Sequence, residues 1–408
     1  MKLKTLTTAM ILATVPMTGA FAAAMDRSGQ SIAAFLQPGN YAEAGISVLD
    51  PSVSGTDFTG ANTGDMASDY YFPSAALKFQ VTDNFSFGLL YDQPFGAEAE
   101  YSAPNPTVSA FSYGGEGTAA EVQTENLTAI FGFQPTENWN IYAGPVYQTA
   151  KGNVSLRGTA YNALGTAAAY DANMKKDGAT GWLAGLAFQI PDIALKASLT
   201  YRSEIEHQLS TTETLAGLPV EIAFGGLGVG AISLVPGKTE VTTPQSVNLD
   251  FQTGIMADTV AFANVRWVDW SGFAIRPNDF GQVLDTLATR VPTAFGALEG
   301  GNLVEYNEEQ WSATAGVGRK FNEKWAGNVS VGWDSGAGNP VTTLGPTEGY
   351  WNVGLGLQFS PAPNYFIAGG VKYFWLGDAQ ALTVANPNVG NFEDNHALGY
   401  GLKMGYRF

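Results

Sequence analysis

The sequence predicts an all-β protein: a transmembrane antiparallel β-barrel of about fourteen strands, with a short N-terminal plug segment and long extracellular loops. Charged residues make up 14% of the 408 residues, against about a quarter in soluble proteins. No interior apolar run is long enough for a membrane-spanning helix, which needs about 20 residues. Aromatic residues (12%) and 49 glycines are instead spread along the chain at short period. Barrel strands require this dispersed pattern.

The first residues are typical of a secretory signal. Lys2 and Lys4 precede an apolar run over 6–15, and small residues follow as far as Ala24. This order predicts a signal peptide over 1–24. The alternative is a buried N-terminal helix. Cleavage would leave a short hatch-like segment over 25–40 and a barrel over 41–408.

The end of the chain shows the clearest strand pattern. Large apolar side chains share one face, at Leu398, Tyr400, Leu402, Met404, Tyr406 and Phe408. Glycines and basic residues fill the other face, as in a strand between lipid and a wet lumen. The soluble alternative is an edge strand of an antiparallel sheet. The terminal Phe408 resembles the signal that the outer-membrane assembly machinery reads.

Short and long connections alternate along the chain. Short turns are predicted at 82–84, 135–138, 191–192, 257–258, 322–323 and 361–364. Long loops are predicted at 51–71, 94–118, 151–179, 209–240, 271–308, 335–347 and 377–396. Both termini then lie on the short-turn side, which is periplasmic in bacterial outer-membrane barrels. The sequence therefore predicts a protein of the outer membrane of a Gram-negative bacterium.

The third strand, over 85–101, contains Pro94, Phe95 and Gly96 near its middle. Proline lacks the N–H that a barrel ladder needs, and glycine tolerates a bend, so strand pairing should break there. An unpaired backbone group is costly in hydrocarbon. The break is either an opening in the barrel wall or the level at which the barrel ends above the membrane.

Apolar loop segments are the candidates for ligand capture. Of the 21 residues from Leu215 to Val235, one is charged, Glu221. Such a stretch either captures an apolar ligand or packs against neighbouring loops or lipid. Helical spacing in another loop predicts an amphipathic lid built from Phe280, Val283, Leu284, Leu287 and Ala288. The loop that carries Tyr161, Leu164 and Tyr170 is expected to face this lid.

Several charged residues are predicted to face the lumen. They are Lys196, Arg202, Glu204 and Glu206, with Arg266 as a further candidate. These groups either pair with one another or hold a ligand carboxylate.

Other classes of function are excluded or disfavoured. A net charge of −17 leaves no basic face for a nucleic acid. The chain has no Cys and two His, and no metal-ligand spacing occurs. His207 is expected on the lipid face, without a serine partner. We therefore predict no enzymatic activity, no cofactor and no metal site.

Four stretches carry a family resemblance: 199–204 (LTYRSE), 268–273 (VDWSGF), 49–51 with 54–55 (LDP, SG), and 404–408 (MGYRF). Together they resemble the FadL-type outer-membrane transporters of long-chain fatty acids and aromatic hydrocarbons. The resemblance implies passive uptake of hydrophobic small molecules across the outer membrane. Outer-membrane lipid and lipopolysaccharide would surround such a channel.

The same resemblance implies roles for particular residues. Outer loops would collect the ligand in an apolar groove, and a hatch would close an inner site. The ligand would leave sideways at a kink in strand three, which Pro94, Phe95 and Gly96 resemble. Arg157 resembles a basic residue that meets the ligand's head. The candidate ligand-binding residues are Arg157, Tyr161, Leu164, Leu215, Leu218, Ile222, Phe224 and Leu227.

The sequence departs from this family in its N-terminal segment. The family's hatch carries an Asn-Pro-Ala motif, which this sequence lacks, and Met25–Asn40 is short. An alternative is therefore a general aqueous porin on the same frame, which would conduct ions steadily. A surface protein without transport function is a third possibility.

Overall fold

The computed structural model describes residues 24–101, 109–164, 168–225 and 232–408. The predicted signal peptide lies almost wholly outside the described residues.

Fourteen antiparallel strands close into a barrel, which confirms the predicted fold. The last strand pairs with the first in continuous register, from Arg407 with Tyr41 to His396 with Ser52. We number the barrel strands in chain order, with β3 in two pieces. They are β1 Tyr41–Ser52, β2 Tyr70–Gln80, β3 Phe85–Asp92 and Gly96–Glu100, β4 Ala119–Phe133, β5 Trp139–Gly158, β6 Ala168–Ile190, β7 Leu195–Arg202, β8 Ser246–Met256, β9 Thr259–Val268, β10 Gln310–Lys320, β11 Trp325–Asp334, β12 Tyr350–Ala362, β13 Tyr365–Leu376 and β14 His396–Arg407.

The long connections contain smaller elements. The additional strands are Gly55–Asp57, Ser112–Tyr113, Glu116–Gly117, Ile205–Leu209, Thr211–Leu215, Leu218–Pro219, Thr239–Thr243, Ala274–Ile275, Val304–Glu305, Val341–Thr342, Ala379–Thr383 and Asn386–Phe392. The helices are α1 Val220–Gly225, α2 Asn278–Arg290 and α3 Pro292–Phe295, with 3₁₀ turns at Thr159–Leu164, Pro191–Ile193 and Gly296–Leu298. None of the helices in the described part of the chain combines the length and apolarity needed to cross a membrane.

Short and long connections alternate as predicted, but one predicted loop is wrong. Residues 151–179 are mostly strand, because β5 and β6 continue to pair as far as Gly158 with Ala168. The two strands therefore project beyond their neighbours, with a register shift between Met174 and Asp177. Residues 151–179 therefore form a two-stranded ribbon beyond the barrel wall rather than a loop.

The outer surface of the barrel is apolar, with two belts of exposed aromatic side chains. One belt, toward the long loops, includes Trp182, Trp311, Trp351 and Trp375. The other, toward the short turns, includes Phe85, Trp139, Trp325 and Phe408. The lipid-facing residues predicted for β14 are all exposed. Such belts mark the two interfaces of a bilayer.

The predicted lumen-facing positions of Glu204 and Glu206 are wrong. β7 ends at Arg202, and the alternation slips by one residue at Ser203 and Glu204. Glu204 and Glu206 are consequently exposed rather than lumen-facing. His207, expected on the lipid face, is buried instead, and so is Ile205.

The long loops pack together into an apolar core above the barrel. Helix α2 buries all five residues of the predicted amphipathic face. The centre of its Phe280 ring lies 5.4 Å from that of Tyr170, so the segment that carries Tyr170, which is part of β6 rather than a loop, faces α2. Glu213 accepts hydrogen bonds from the N–H groups of Asp279 and Phe280 at the start of α2.

Candidate functional site

The N-terminal segment, residues 24–40, lies inside the barrel. Asp26, Arg27 and Phe35 are among its many buried residues. Residues 32–37 form a turn, in which the N–H groups of Phe35 and Leu36 donate to the Ile32 carbonyl. A short segment is therefore sufficient to lie across this lumen.

Basic residues of the barrel wall donate hydrogen bonds to backbone carbonyls of this segment. Lys78 Nζ donates to the Gln37 carbonyl, and Lys196 Nζ donates to the Leu36 carbonyl, each at 2.8 Å. Arg202 donates to the carbonyl of Gln30. Lys196 and Arg202 therefore contact the N-terminal segment, and they bind its backbone rather than each other.

Arg266 also faces the lumen and forms an ion pair with Asp26. The Nε–Oδ2 distance is 2.6 Å, and both side chains are at most 3% exposed. A guanidinium this deeply buried needs a carboxylate partner. The pair therefore fixes the start of the N-terminal segment against β9.

The wall is interrupted where the sequence places Pro94. Asp92 pairs with Asn126, and Gly96 pairs with Gln123, so three residues of β3 face two of β4. This is a β-bulge. On its other side, β3 pairs with β2 from Ser86 to Tyr91. Among the described residues, no strand partner faces Tyr70–Ser74 of β2 on that side, which leaves a gap in the wall.

The N-terminal segment supplies hydrogen bonds to the interrupted part of β3. The N–H of Arg27 donates to the Pro94 carbonyl at 2.6 Å, and Gly96 donates to the Met25 carbonyl at 2.8 Å. On the other side, the N–H of Phe95 donates to the Thr124 hydroxyl. The broken strand therefore keeps its backbone satisfied without β2.

Tyr70 closes the outer end of the gap. Its hydroxyl donates to the Glu98 carbonyl and accepts from the Glu98 N–H, each at 2.6 Å. The guanidinium of Arg27 lies 4.1 Å from the centre of the Tyr70 ring, a cation–π contact. The gap is thus closed by side chains rather than by a strand.

A cavity of about 520 Å³ lies behind the gap. It is lined mainly by apolar and aromatic residues, among them Met25, Leu49, Met66, Tyr70, Phe72 and Ala97. Tyr306 belongs to an aromatic cluster. The centre of the Trp270 ring lies 5.3 Å from that of Tyr306 and 5.4 Å from that of Phe95. A mostly apolar lining with a few polar groups is typical of small-molecule sites.

Two further cavities lie on either side of the gap cavity. One, of about 400 Å³, lies among the loops and shares Leu344 with it. The other, of about 790 Å³, lies beside the N-terminal segment and shares Phe72 with it. The three cavities therefore follow one another from the loops to the lumen. We call them the loop cavity, the gap cavity and the lumen cavity.

The predicted loop residues have different surroundings. Tyr161 lines the loop cavity, and its hydroxyl forms a hydrogen bond with the Thr343 hydroxyl. Burial raises the pKa of Tyr161 to about 12, so this hydroxyl stays neutral. Leu215 is buried, whereas Leu218 and Ile222 are exposed. Leu227 lies outside the described residues, and the side chains of Leu164 and Phe224 are not described.

Arg157 is already neutralised. Its guanidinium donates to Glu116 at 2.8 Å and to Asp171 at 2.9 Å. Further bonds reach the backbone carbonyls of Leu156 and Tyr170. Two carboxylates on one guanidinium leave no net positive charge for the head group of a ligand.

Asp26, Arg27, Tyr70 and Lys78 were not predicted as site residues. The sequence does contain a signal for Asp26 and Arg27. Charged residues are rare in this chain, yet these two are adjacent, just after the predicted cleavage site. Tyr70 and Lys78 carry no comparable signal, because aromatic and basic residues occur on many strands. No group of three or more acidic or histidine side chains in the described ranges could hold a metal ion.

A closed fourteen-strand barrel with lipid-facing aromatic belts defines an outer-membrane β-barrel protein. The family "Outer membrane protein transport protein (OMPP1/FadL/TodX)" matches residues 20–408. The chain belongs to this family, and it is therefore an outer-membrane transport protein rather than an enzyme. The resemblance stated from the sequence is confirmed.

Solved structures share the fold at low sequence identity. A FadL homologue of Pseudomonas aeruginosa is 16% identical, with 92% of each chain covered and a TM-score of 0.70. The toluene transporter TodX of P. putida is 13% identical, covering 92% of this chain and 91% of that one, with a TM-score of 0.62. The toluene transporter TbuX of Ralstonia pickettii is 12% identical, covering 96% and 98%, with a TM-score of 0.58. No curated protein matches the chain.

Proteins of this family transport hydrophobic small molecules, and two of the structural neighbours are toluene transporters. The predicted contacts of Phe408 with the assembly machinery, and of the barrel with lipopolysaccharide, stay predictions.

Proposed function

We propose that this protein carries small hydrophobic compounds passively across the outer membrane and releases them sideways into the bilayer between β2 and β3. The observation that carries the proposal is the gap beside Tyr70–Ser74, where β2 has no strand partner on its β3 side among the described residues. A barrel wall ordinarily pairs every strand, because an unpaired backbone group is costly in hydrocarbon. Here the N-terminal segment satisfies Pro94 and Gly96 from the lumen side.

The three cavities support a route to this gap. A ligand enters at the loop cavity, passes Leu344 into the gap cavity, and leaves past Tyr70 when Arg27 and Met25 move inward. Movement of a short segment held by hydrogen bonds is easier than separation of two paired strands. No energy coupling is needed, since burial of apolar groups contributes about 0.8 kcal/mol for each CH₂.

The lining of the gap cavity supports a hydrophobic cargo. Met25, Leu49, Met66 and Phe72 present methyl, thioether and aromatic groups. Thioethers adapt to ligands of different shape. The toluene transporters among the structural neighbours fit the same class of cargo.

The proposal is tested by filling the gap cavity. In an outer-membrane mutant that lacks its own hydrophobic channel, uptake of radiolabelled toluene and oleate is measured beside a small hydrophilic sugar. Ala97 lines the cavity, so Ala97→Trp should reduce apolar uptake at least tenfold. The matched control is Ala143→Trp, because Ala143 is exposed on the outer face of β5.

The outcomes separate the candidate functions. Uptake lost with Ala97→Trp and kept with Ala143→Trp supports lateral exit. Undiminished uptake with a folded Ala97→Trp protein contradicts it. Sugar entry without apolar uptake would instead indicate an aqueous porin; the N-terminal segment across the lumen speaks against that alternative.

A further inference from the structure

Tyr306 has a hydroxyl group without a protein partner at the gap cavity. The residue is 6% exposed and lines this cavity. Its hydroxyl forms no hydrogen bond within the described part of the chain. The hydroxyl is also not among the unbonded polar atoms that the protein encloses completely, so it keeps accessible surface. A buried tyrosine hydroxyl ordinarily has a hydrogen-bond partner.

Three other buried tyrosines of the loop core meet this expectation. The Tyr101 hydroxyl donates to the Thr343 carbonyl, and the Tyr161 hydroxyl bonds to the Thr343 hydroxyl. The Tyr170 hydroxyl donates to Glu213. Tyr306 therefore differs from them in having a hydroxyl that remains available to a ligand.

The aromatic cluster fixes the position of this hydroxyl. The centre of the Tyr306 ring lies 5.3 Å from that of Trp270, in edge-to-face geometry, and 5.6 Å from that of Phe273, in stacked geometry. Trp270 and Phe273 are both buried. Because the hydroxyl lies on the long axis of the ring, it cannot reach another partner unless the cluster repacks.

Thr347 contributes a second hydroxyl to the gap cavity. It is 2% exposed, and its N–H donates to the Gly345 carbonyl, but its hydroxyl has no hydrogen bond within the described chain. Burial raises the pKa of Tyr306 above its ordinary value, with further contributions from Tyr70 and Glu348. Both hydroxyls are therefore neutral, and each can donate or accept a hydrogen bond.

The charged groups at the gap cavity favour a neutral ligand. Asp26 and Glu98 are acidic lining residues, and Arg27 is a basic one. Asp26 is already paired with Arg266, and the Arg27 guanidinium lies 4.1 Å from the centre of the Tyr70 ring. An anionic ligand would meet Asp26 and Glu98, and a cationic ligand would meet Arg27.

We propose that the hydroxyls of Tyr306 and Thr347 make the gap cavity selective for small aromatic compounds that carry one neutral hydrogen-bonding oxygen, of which phenols are the simplest. This inference rests on the proposed function and gives its cargo a chemical class. The apolar lining, including Met25 and Met66, contacts the ring of the ligand, and the Tyr306 hydroxyl bonds to its oxygen. A pure hydrocarbon leaves these hydroxyls unpaired, and a site with unpaired polar groups discriminates against such a ligand.

The experiment compares p-cresol with toluene, which share a methyl-substituted ring and differ in the hydroxyl. Binding of each to the purified full-length protein in detergent is measured by ligand-observed NMR at pH 7, where a phenol is neutral. Ala97→Trp, which fills the cavity, gives the background from the micelles. The wild-type protein should bind p-cresol about threefold or more tightly than toluene.

Tyr306→Phe removes the hydroxyl and keeps the ring in its cluster. It should weaken p-cresol binding about fivefold and leave toluene binding within about twofold, since one hydrogen bond is lost. The double variant Tyr306→Phe, Thr347→Val should bind the two ligands equally. If Tyr306→Phe weakened both ligands by the same factor, Tyr306 would be a positioning residue for the cavity wall, and the proposal would be wrong.

The matched control is Tyr101→Phe. Tyr101 is also buried, but its hydroxyl is bonded to the Thr343 carbonyl, and the residue does not line the gap cavity. This variant should change p-cresol and toluene binding by the same factor. A selective loss of p-cresol binding in Tyr101→Phe would contradict the assignment to Tyr306.

Two further outcomes would overturn the proposal. One is equal binding of p-cresol and toluene by the wild-type protein. The other applies if Tyr306→Phe does not fold: Thr347→Val then decides, and a p-cresol preference of wild-type size in that variant contradicts the proposal. Failure of toluene and p-cresol uptake in cells would overturn the proposed function, while the preference of the purified protein for p-cresol is read independently.

Discussion

Arg27 and Gly96 are in direct contact at the interruption of β3. The Nε of Arg27 donates to the Gly96 carbonyl at 2.8 Å. A Cβ on residue 96 would lie 2.5 Å from the guanidinium carbon of Arg27 and 2.7 Å from the carbonyl oxygen of Val122. The absence of a side chain at this position therefore allows the N-terminal segment to approach the wall.

We predict that Gly96→Ala destabilises the closed gap. The Arg27 side chain can move, but the Val122 carbonyl belongs to the backbone of β4 and cannot. Overpacking of this kind typically costs about 1–3 kcal/mol. Urea unfolding in detergent micelles, followed by tryptophan fluorescence, measures the loss.

Gly272→Ala is the control for Gly96→Ala, because nothing lies within 4 Å of a Cβ at residue 272. Its stability should stay close to that of the wild-type protein. Equal stability of both variants would show that the close approach at Gly96 does not constrain the gap.

The fold could be predicted from the sequence because lipid imposes one rule on every strand. A residue that faces hydrocarbon must be apolar, so Leu398 and its alternate neighbours reveal both the strand and its orientation. The rule fails where a strand leaves the membrane. The pairing of β5 with β6 around Asp171 was missed for this reason, and so was the slip of alternation at Glu204.

The sequence predicts the break in the barrel wall, but it does not predict the partners of the charged residues inside the barrel. Pro94 marks the break in β3, because proline cannot complete a ladder. By contrast, the partner of a lumen charge depends on which segment occupies the lumen. Period-2 alternation places Lys196 and Arg202 inward, but it does not indicate that both bind the backbone of residues 30–36.

We predict that Arg266→Met opens the lumen. The substitution leaves Asp26 as a buried carboxylate without its partner, and breaking a buried pair in this way typically costs about 3–5 kcal/mol. The start of the N-terminal segment should then leave its position against β9. Single-channel recording in planar bilayers should show a higher and less stable ion conductance than in the wild-type protein.

The double variant Asp26→Asn, Arg266→Met is the control for this prediction. It removes both charges, so the desolvation penalty of an unpaired carboxylate disappears. Its conductance should fall back toward the wild-type value. Wild-type conductance in the single variant would mean that the ion pair does not hold the segment closed.

A pH-dependent prediction concerns Glu348, in the extracellular connection between β11 and β12. Burial raises the pKa of Glu348 to about 7, with a further contribution from Glu308, while the N–H of Gly338 opposes the shift by donating to its Oε1. The ordinary value is 4.5. The folded connection thus binds a proton more tightly than the unfolded chain does.

The stability that this proton contributes is fully present below pH 4.5 and is lost as the pH rises through about 7. Hydrogen–deuterium exchange of residues 335–349 should therefore be slower at pH 5 than at pH 8, after correction for the intrinsic rate. Glu348→Gln places a permanently neutral group at this position and should abolish the difference. A pH response of the same size in Glu348→Gln would assign it to another group, whereas its loss would show that protonation of Glu348 orders this part of the loop core.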